Sequence, residues 1–336
     1  MPKNCVLIDF EPQSNWTFVK TLEEETGEGW EIIKRVSWMY KNGRVENLRR
    51  YMSYFCLAFG VFVSREKYKN ILSWQQFYGI FLGFFSRLFH VKKKNRIYVM
   101  TFIYKEKDGI IGKLYHWFVE YAISSKYIDR IICFSSTEPT YYSSIFRVDN
   151  SKFIYIPLGD DIDNSNIDFK NRTSILSIGT SNRDYGFLVD VFSELPYVLT
   201  IYSNKYEKIG KNIMMTGDRV GDKIADLLRT CKLMVIPLAD SNISSGQLGA
   251  LHAMQMGVPV IATDADGIKD FISSGENGYL LKNEKALWIE KIEYLLKNDD
   301  IWNHMSKKGI QLYNESHTVA SMASNISKII KNADKK

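Results

Sequence analysis

The sequence predicts an α/β protein of two domains, each a parallel sheet with crossover helices. Three observations predict it. Short β-rich apolar runs alternate with helical stretches, a polar Asn/Asp-rich segment interrupts the alternation near the middle, and 336 residues suit two domains of about 160 better than one.

In the first half, runs rich in β-branched and aromatic residues place strands at 6–10 (VLIDF), 70–74 (NILSW), 96–104 (RIYVMTFIY), 130–135 (RIICFS) and 153–157 (FIYIP). Helices fill the gaps, notably GKLYHWFVEYAISSKY from Gly112. The stretch 159–173, GDDIDNSNIDFKNRT, has little periodicity and reads as the interdomain connection, with 161–173 as the linker proper. The alternation then restarts, with strands at 174–178, 198–203, 212–216, 232–238, 258–263 and 278–281. The last fifty residues read as helical. No internal repeat and no solenoid period is visible.

Hydrophobic residues make up 45% and charged residues 24%, with seven prolines, which excludes disordered, collagen-like and low-complexity classes. Cys5, Cys56, Cys133 and Cys231 lie far apart with no C-x-x-C pair, against a disulfide framework or structural zinc and in favour of a reducing, cytoplasmic compartment. The opening MPKNCVLIDFEP reads as a first strand rather than a secretory signal.

The formal charge of +6 is modest, and its placement says more than its size. Arg87, Lys92, Lys93, Lys94, Arg96, Lys105 and Lys107 face one acid, Glu106, just after the aromatic run WQQFYGIFLGFFSRLF; a second segment from Arg49 repeats the apolar middle and basic ends. Neither reaches the roughly 18–20 uninterrupted apolar residues of a spanning helix. Two readings remain: interfacial helices with Phe81 and Phe85 toward lipid and Lys92–Lys94 against anionic headgroups, or crossover helices buried on a sheet.

Ligands of open parallel sheets bind beyond the carboxyl ends of the strands, which directs attention to the loop after 232–238. There the chain passes through ADSNIS into a helix beginning near Gly246, with Ser244 or Ser245 placed to cap it and Leu248 and Leu251 expected toward the core. A helix N-terminus with free amides and hydroxyls suits a diphosphate, and Gly246 permits close approach. An ordinary capped helix reads equally from the cap alone.

The run SSGQLGALHAMQMGVPVIAT, followed by GIKDFISSGENGYLL, resembles the donor-binding signature of GT-B glycosyltransferases, in particular the large nucleotide-sugar family with the E-x7-E motif. Its A-M-x-x-G-x-P-V-I-A-T and G-x-N-G match; the two glutamates fall on Ser244 and His252. A second match, SIGTSNRDYGFLVDVF, resembles the family's loop and helix after the first strand of the donor domain, and MTGDRVGDKIADLLRTCKLMVIPL its next segment. The resemblance covers about 150–310 and implies two Rossmann-like doubly wound domains facing across a cleft. Residues 1–160 would form the acceptor-binding, membrane-facing domain and 174–312 the nucleotide-sugar domain, with 313–336 a helix crossing back.

The resemblance also implies a donor set. Arg183 would contact the pyrophosphate as a bidentate, permanently charged group positioned by Asp184 and Tyr185. Gly179, Ser203, Ser244, Ser245, Gly246, Gln247 and His252 would complete the site, with Arg219 and Val220 near the base. A front-domain acid would serve as base if the reaction inverts, Asp108 being preferred over Glu11 and Glu106; if it retains, the donor phosphate takes the proton. D-x-D appears in GDDID (159–163) and DAD (264–266), both read as polar loops, and P-loop, H-E-x-x-H and G-x-S-x-G are absent from the sequence.

The expectation is a metal-independent hexosyltransferase without a cofactor, peripheral at the inner face of a cell membrane. It would move a sugar from a nucleoside diphosphate donor, a UDP-sugar, to a lipid-linked or growing glycan in bacterial capsule or O-antigen synthesis. Nucleic acid is not an expected partner. The alternatives are a non-catalytic partner of a transferase and a nucleotide-sugar epimerase.

Overall fold

The computed structural model describes residues 3–36, 43–203, 211–217, 220–241 and 244–334. Two compact units divide the chain: Met1–Ile156 with Ala323–Lys336, and Pro157–Met322.

The first unit runs β1 (Lys3–Ile8), α1 (Thr17–Thr26), β2 (Trp30–Lys34), α2 (Arg44–Val63), β3 (Tyr68–Ser73), α3 (Gln76–Leu88), β4 (Arg96–Val99), α4 (Gly109–Ile123), β5 (Ile128–Cys133), α5 (Glu138–Phe146) and β6 (Phe153–Tyr155). Its six parallel strands lie in the order β2-β1-β3-β4-β5-β6. The chain steps from β1 to β2 on one side and then returns to β3 on the other, so the strand order reverses between β1 and β3. β2, with the sequence WEIIK, is not among the strands expected from sequence. It is an edge strand whose Glu31 and Lys34 are exposed, so its apolar signal is only three residues deep.

The 96–104 run is a strand only to Val99. Thr101 adopts a left-handed backbone (φ 48°) and its hydroxyl donates to the Trp74 carbonyl, so the chain leaves the sheet while Phe102 and Tyr104 fold back into the core. α3 is the crossover helix of the two earlier readings. Phe77, Tyr78, Ile80, Leu82 and Phe85 are buried, and Gly79 and Gly83 bring it so close to the sheet that a Cβ would stand 2.6 Å from Val99 and 2.7 Å from Ile128. Phe85 is therefore a core residue, 5% exposed among Phe55, Phe59 and Phe62, and does not face a membrane. Phe81 is half-buried between Phe55 and Phe118. Lys93 pairs with Asp129 at 2.7 Å and Lys94 with Glu66 at 2.8 Å, whereas Lys92 is exposed. All three precede β4, at the amino end of the strands.

The exposed apolar surface lies instead on the flanks of α3. Along α2, Val45, Leu48, Met52, Phe55, Phe59 and Val63 recur at helical spacing and are exposed; on α4, Ile110, Ile111, Leu114 and Trp117 are exposed, Ile111 at 79%. Among the described residues no helix is long and apolar enough to cross a membrane.

The second unit runs β7 (Ser174–Ile178), α6 (Tyr185–Phe192), β8 (Leu199–Tyr202), β9 (Ile213–Thr216), α7 (Ile224–Arg229), β10 (Cys231–Ile236), α8 (Gln247–Gln255), β11 (Val260–Thr263), β12 (Gly278–Leu281), α9 (Lys285–Lys297) and α10 (Asp299–Ser316). The parallel order is β12-β11-β10-β7-β8-β9, with the reversal between β7 and β10. Two cores flank the sheet, one under α6 and α9 around Trp288 and Trp302, the other under α8 around Met254 and Phe271. The polar stretch 161–173 packs on this unit: Arg172 is buried and donates to the carbonyls of Met256 (2.6 Å), Gly257 and Cys231. The final helix, α11 (Val319–Asp334), begins in the second unit and from Ala323 onward belongs to the first, where Lys331 pairs with Glu25 at 2.9 Å.

Candidate functional site

In the second unit the loops leaving β7 and β10 enclose a pocket of about 470 Å³, at the reversal of strand order where a doubly wound sheet leaves a crevice. Ile178 to Ser181 with Arg183 line one side, Ser244 to Gly249 with His252 the other, and Val220, Gly221 and Ile224 a third; Arg219 lies outside the described residues.

β7 is followed by Gly179, whose φ of 135° only glycine adopts readily. A Cβ here would stand 2.6 Å from a terminal guanidinium nitrogen of Arg183. The missing side chain thus makes room for the arginine to fold back under the loop. Arg183 donates to the carbonyls of Ser181 (2.9 Å) and Ile178 (3.2 Å), while its Nε is buried without a partner. No carboxylate pairs with it among the described residues. Burial pulls its pKa below the ordinary value, partly offset by Tyr185. A desolvated cation held by neutral carbonyls at the edge of a pocket is chemically suited to an anion.

The opposite wall is the amino end of α8. Gly246 is the N-cap at φ 83°, so the capping position expected for Ser244 or Ser245 is held by a glycine. Ser245 instead accepts a hydrogen bond from Asn182 Nδ2 at 2.8 Å, and Ser244 packs against Gly267. A Cβ at Gly246 would stand 2.9 Å from Ile236, so the glycine also lets the turn settle onto β10. The amide end of α8 and Arg183 therefore direct positive charge into one space. Leu248, expected in the core, is 51% exposed in the pocket, and Leu251 is buried as expected.

Asn182 is the residue that sequence reasoning missed. Held at φ 52°, it donates to the Asp240 carbonyl and to Ser245, and its Oδ1 accepts from Asp240 N, all at 2.8 Å. It fixes the distance between the two loops. The visible signal was Asn's tolerance of the left-handed region beside a glycine-ended strand. Asp184 caps α6 by accepting from Phe187 N at 3.0 Å. Tyr185 and Ser203 do not line the pocket; both are buried, hydrogen-bond one another, and Tyr185 donates to the Gly179 carbonyl at 2.6 Å. They hold the loop from beneath.

Gln247 lines the pocket and donates to Gly267 O at 2.9 Å. His252 lines it too, with Nε2 2.8 Å from the Asp160 carboxylate. That pair uses one of the GDDID aspartates; Asp161 accepts from Tyr313 at 2.6 Å and from Val319 N. Asp264 and Asp266 share Lys269. In the first unit, Asp108 is exposed at the N-cap of α4 without a side-chain capping bond, Glu106 is exposed, and Glu11 pairs with Lys34.

Residues 191–298 match the family model of the group 1 glycosyl transferases. The uncharacterised glycosyltransferase MJ1178 of Methanocaldococcus jannaschii is 23% identical over 235 residues, 60% of this chain and 58% of that protein. The putative glycosyltransferase EpsD of Bacillus subtilis is 31% identical over 98 residues, 26% of each chain. The chain thus spans less than two thirds of the length of either curated relative. Among solved structures, Anabaena Alr3699/HepE in complex with UDP and glucose superposes with a TM-score of 0.67 over 98% of this chain and 99% of that one, at 13% identity. The fold is GT-B, two doubly wound parallel-sheet units; residues 191–298 resemble the group 1 glycosyl transferases, and both relatives carry the name glycosyltransferase.

Proposed function

We propose that the protein moves a hexose from a UDP-sugar to a lipid-linked or growing glycan in bacterial surface polysaccharide assembly, at the inner face of a membrane. The observation that carries the donor half is Arg183, a desolvated guanidinium with no carboxylate partner among the described residues, opposite the amino end of α8. As the bond from the anomeric carbon to the diphosphate breaks, charge builds on the leaving oxygens. Fixed dipoles and a fixed cation stabilise that charge without reorganising. In this reading they supply the stabilisation that an essential metal would otherwise give, and Gln247 and His252 contact the sugar or ribose hydroxyls of the donor. UDP in the complex of the similarly folded Anabaena protein supports the choice of nucleotide.

The membrane half rests on the exposed faces of α2 and α4. Ile103, Ile110 and Ile111 stand out from the loop and helix after β4, interleaved with Lys105, Lys107 and Lys113. Apolar side chains beside lysines at the carboxyl end of the sheet suit an anionic lipid surface.

The test is a thermal-shift panel of UDP, GDP, ADP, CMP and dTDP in EDTA, followed by turnover of the matching nucleotide-sugars on lipid-linked acceptors. Stabilisation by UDP in EDTA and sugar transfer are expected. Silence across the panel would refute the donor assignment and favour a non-catalytic partner of a transferase; product formed without any acceptor would favour the epimerase.

A further inference from the structure

α8 joins the pocket to the stretch of chain that follows β6. Leu248, Gly249 and His252 line the pocket, and three residues further on buried Gln255 donates to Ile162 O at 2.7 Å and accepts from Ile162 N at 2.9 Å. In the same stretch Asp161 accepts from Tyr313 at 2.6 Å and from Val319 N at 3.0 Å. Residues 161 and 162 are thus fastened without help from Asp160. Asp160 Oδ2 lies instead 2.8 Å from His252 Nε2, on an imidazole that is 12% exposed.

That contact decides what His252 offers to the pocket. An ionised carboxylate only accepts hydrogen bonds, so Nε2 carries the proton, and a neutral imidazole is left with a bare Nδ1. Nδ1 has no hydrogen-bond partner among the described residues, yet it is not one of their buried unpartnered polar atoms, which places it at solvent on a residue that lines the pocket. His252 follows Gly246 by six residues, about 9 Å along the helix axis. With a diphosphate at Arg183 and the amino end of α8, and the base beside Val220, Gly221 and Ile224, the hydroxyls between the two are those of the ribose.

We propose that Asp160, which does not line the pocket, is a positioning residue for the donor nucleotide: it holds His252 with Nε2 protonated, so that Nδ1 accepts a hydrogen bond from a ribose hydroxyl. The carboxylate also polarises the ring, which strengthens the acceptor. The inference deepens the glycosyltransferase reading and rests on its donor assignment.

Calorimetry of UDP, 2′-deoxy-UDP and 3′-deoxy-UDP against the full chain in EDTA reads the ribose contact. Long-range proton–nitrogen NMR of the ligand-free chain, at about pH 8 and so above the ordinary imidazole range, reads the tautomer; loss of a signal in His252→Ala assigns it among the five histidines. The wild type should show a bare Nδ1 and bind UDP about tenfold more tightly than at least one deoxy analogue. That discrimination should fall to within about twofold in His252→Ala and in Asp160→Leu, with UDP still bound because the diphosphate contacts remain. Asp160→Asn, whose side-chain oxygen still accepts from Nε2–H, should keep about threefold or more. If Asp160 merely tethers its stretch to α8, Asp160→Leu will lower the melting temperature and leave the discrimination at its wild-type value, which would overturn the proposal. A proton on Nδ1 in the wild type, or equal affinity for all three nucleotides, would overturn it too. No binding of UDP would remove the donor reading and this inference with it, whereas UDP binding without discrimination removes the inference alone.

Discussion

Replacing Arg183 with Ala removes a cation that the fold holds over the pocket with no carboxylate partner among the described residues. Two of its five N–H groups are committed to the Ser181 and Ile178 carbonyls, and Nε is buried, which leaves at most two terminal N–H groups, beside Tyr185, for a ligand. Hydrogen bonds to charged groups contribute about 1.5–3 kcal/mol each. The pocket is open to solvent on one side, so two such bonds are discounted to about 2–4 kcal/mol, or roughly 30- to 1,000-fold in affinity. Stability should change little, because losing two bonds to carbonyls is offset by releasing a desolvated charge. Titration calorimetry of UDP against wild type, Arg183→Ala and Arg183→Lys reads this directly. Lys should recover part of the loss as a point charge. An Arg183→Ala dissociation constant within about threefold of wild type, in a protein that melts normally, would refute the reasoning.

Three further outcomes follow from other parts of the molecule. Gly246→Ala forces a Cβ to φ 83° and to within 2.9 Å of Ile236; it should cost about 1–3 kcal/mol in denaturant unfolding and weaken UDP binding with it. Ile110→Asp with Ile111→Asp should abolish co-sedimentation with phosphatidylglycerol vesicles, whereas charge reversal of Lys92–Lys94 should leave it within about twofold, since two of those lysines are ion-paired at the amino end of β4. His317 is buried with its Nδ1 2.9 Å from Leu158 O, and burial lowers its pKa below the ordinary value. The unfolded chain therefore takes up the proton first, and stability present above about pH 6.5 is lost as pH falls below it. His317→Gln should flatten that acid limb in pH-dependent melting, and an unchanged limb would assign it to the carboxylates.

The second unit's strands were legible in the sequence because buried parallel strands are continuous apolar runs, and 174–178, 232–238 and 258–263 are bounded by polar or Pro/Gly turns. β2 was not, because an edge strand is solvated on one side. The 96–104 run overstated its strand because period alone cannot show that Thr101 turns out of the sheet. Gly246 could be read from its place at the start of a helix, and Gly179 from the family resemblance. Asn182 could not, since its role is a bridge between loops 58 residues apart in sequence. The expectation that Phe85 faces lipid has a related cause: an aromatic run with basic ends has the same composition whether it lies on lipid or under a sheet. Only the three-dimensional neighbours distinguish α3, which is buried, from α2 and α4, which expose their apolar faces.

Hydrogen–deuterium exchange of the full chain with and without UDP, in EDTA, tests the central claim most directly, because it asks where the nucleotide sits rather than whether it binds. Slowed exchange confined to the loop after β7, residues 179–184, and to the first turn of α8, residues 246–250, is the predicted result. Protection absent from both segments, or concentrated in the first unit at a UDP concentration that saturates binding, would contradict it.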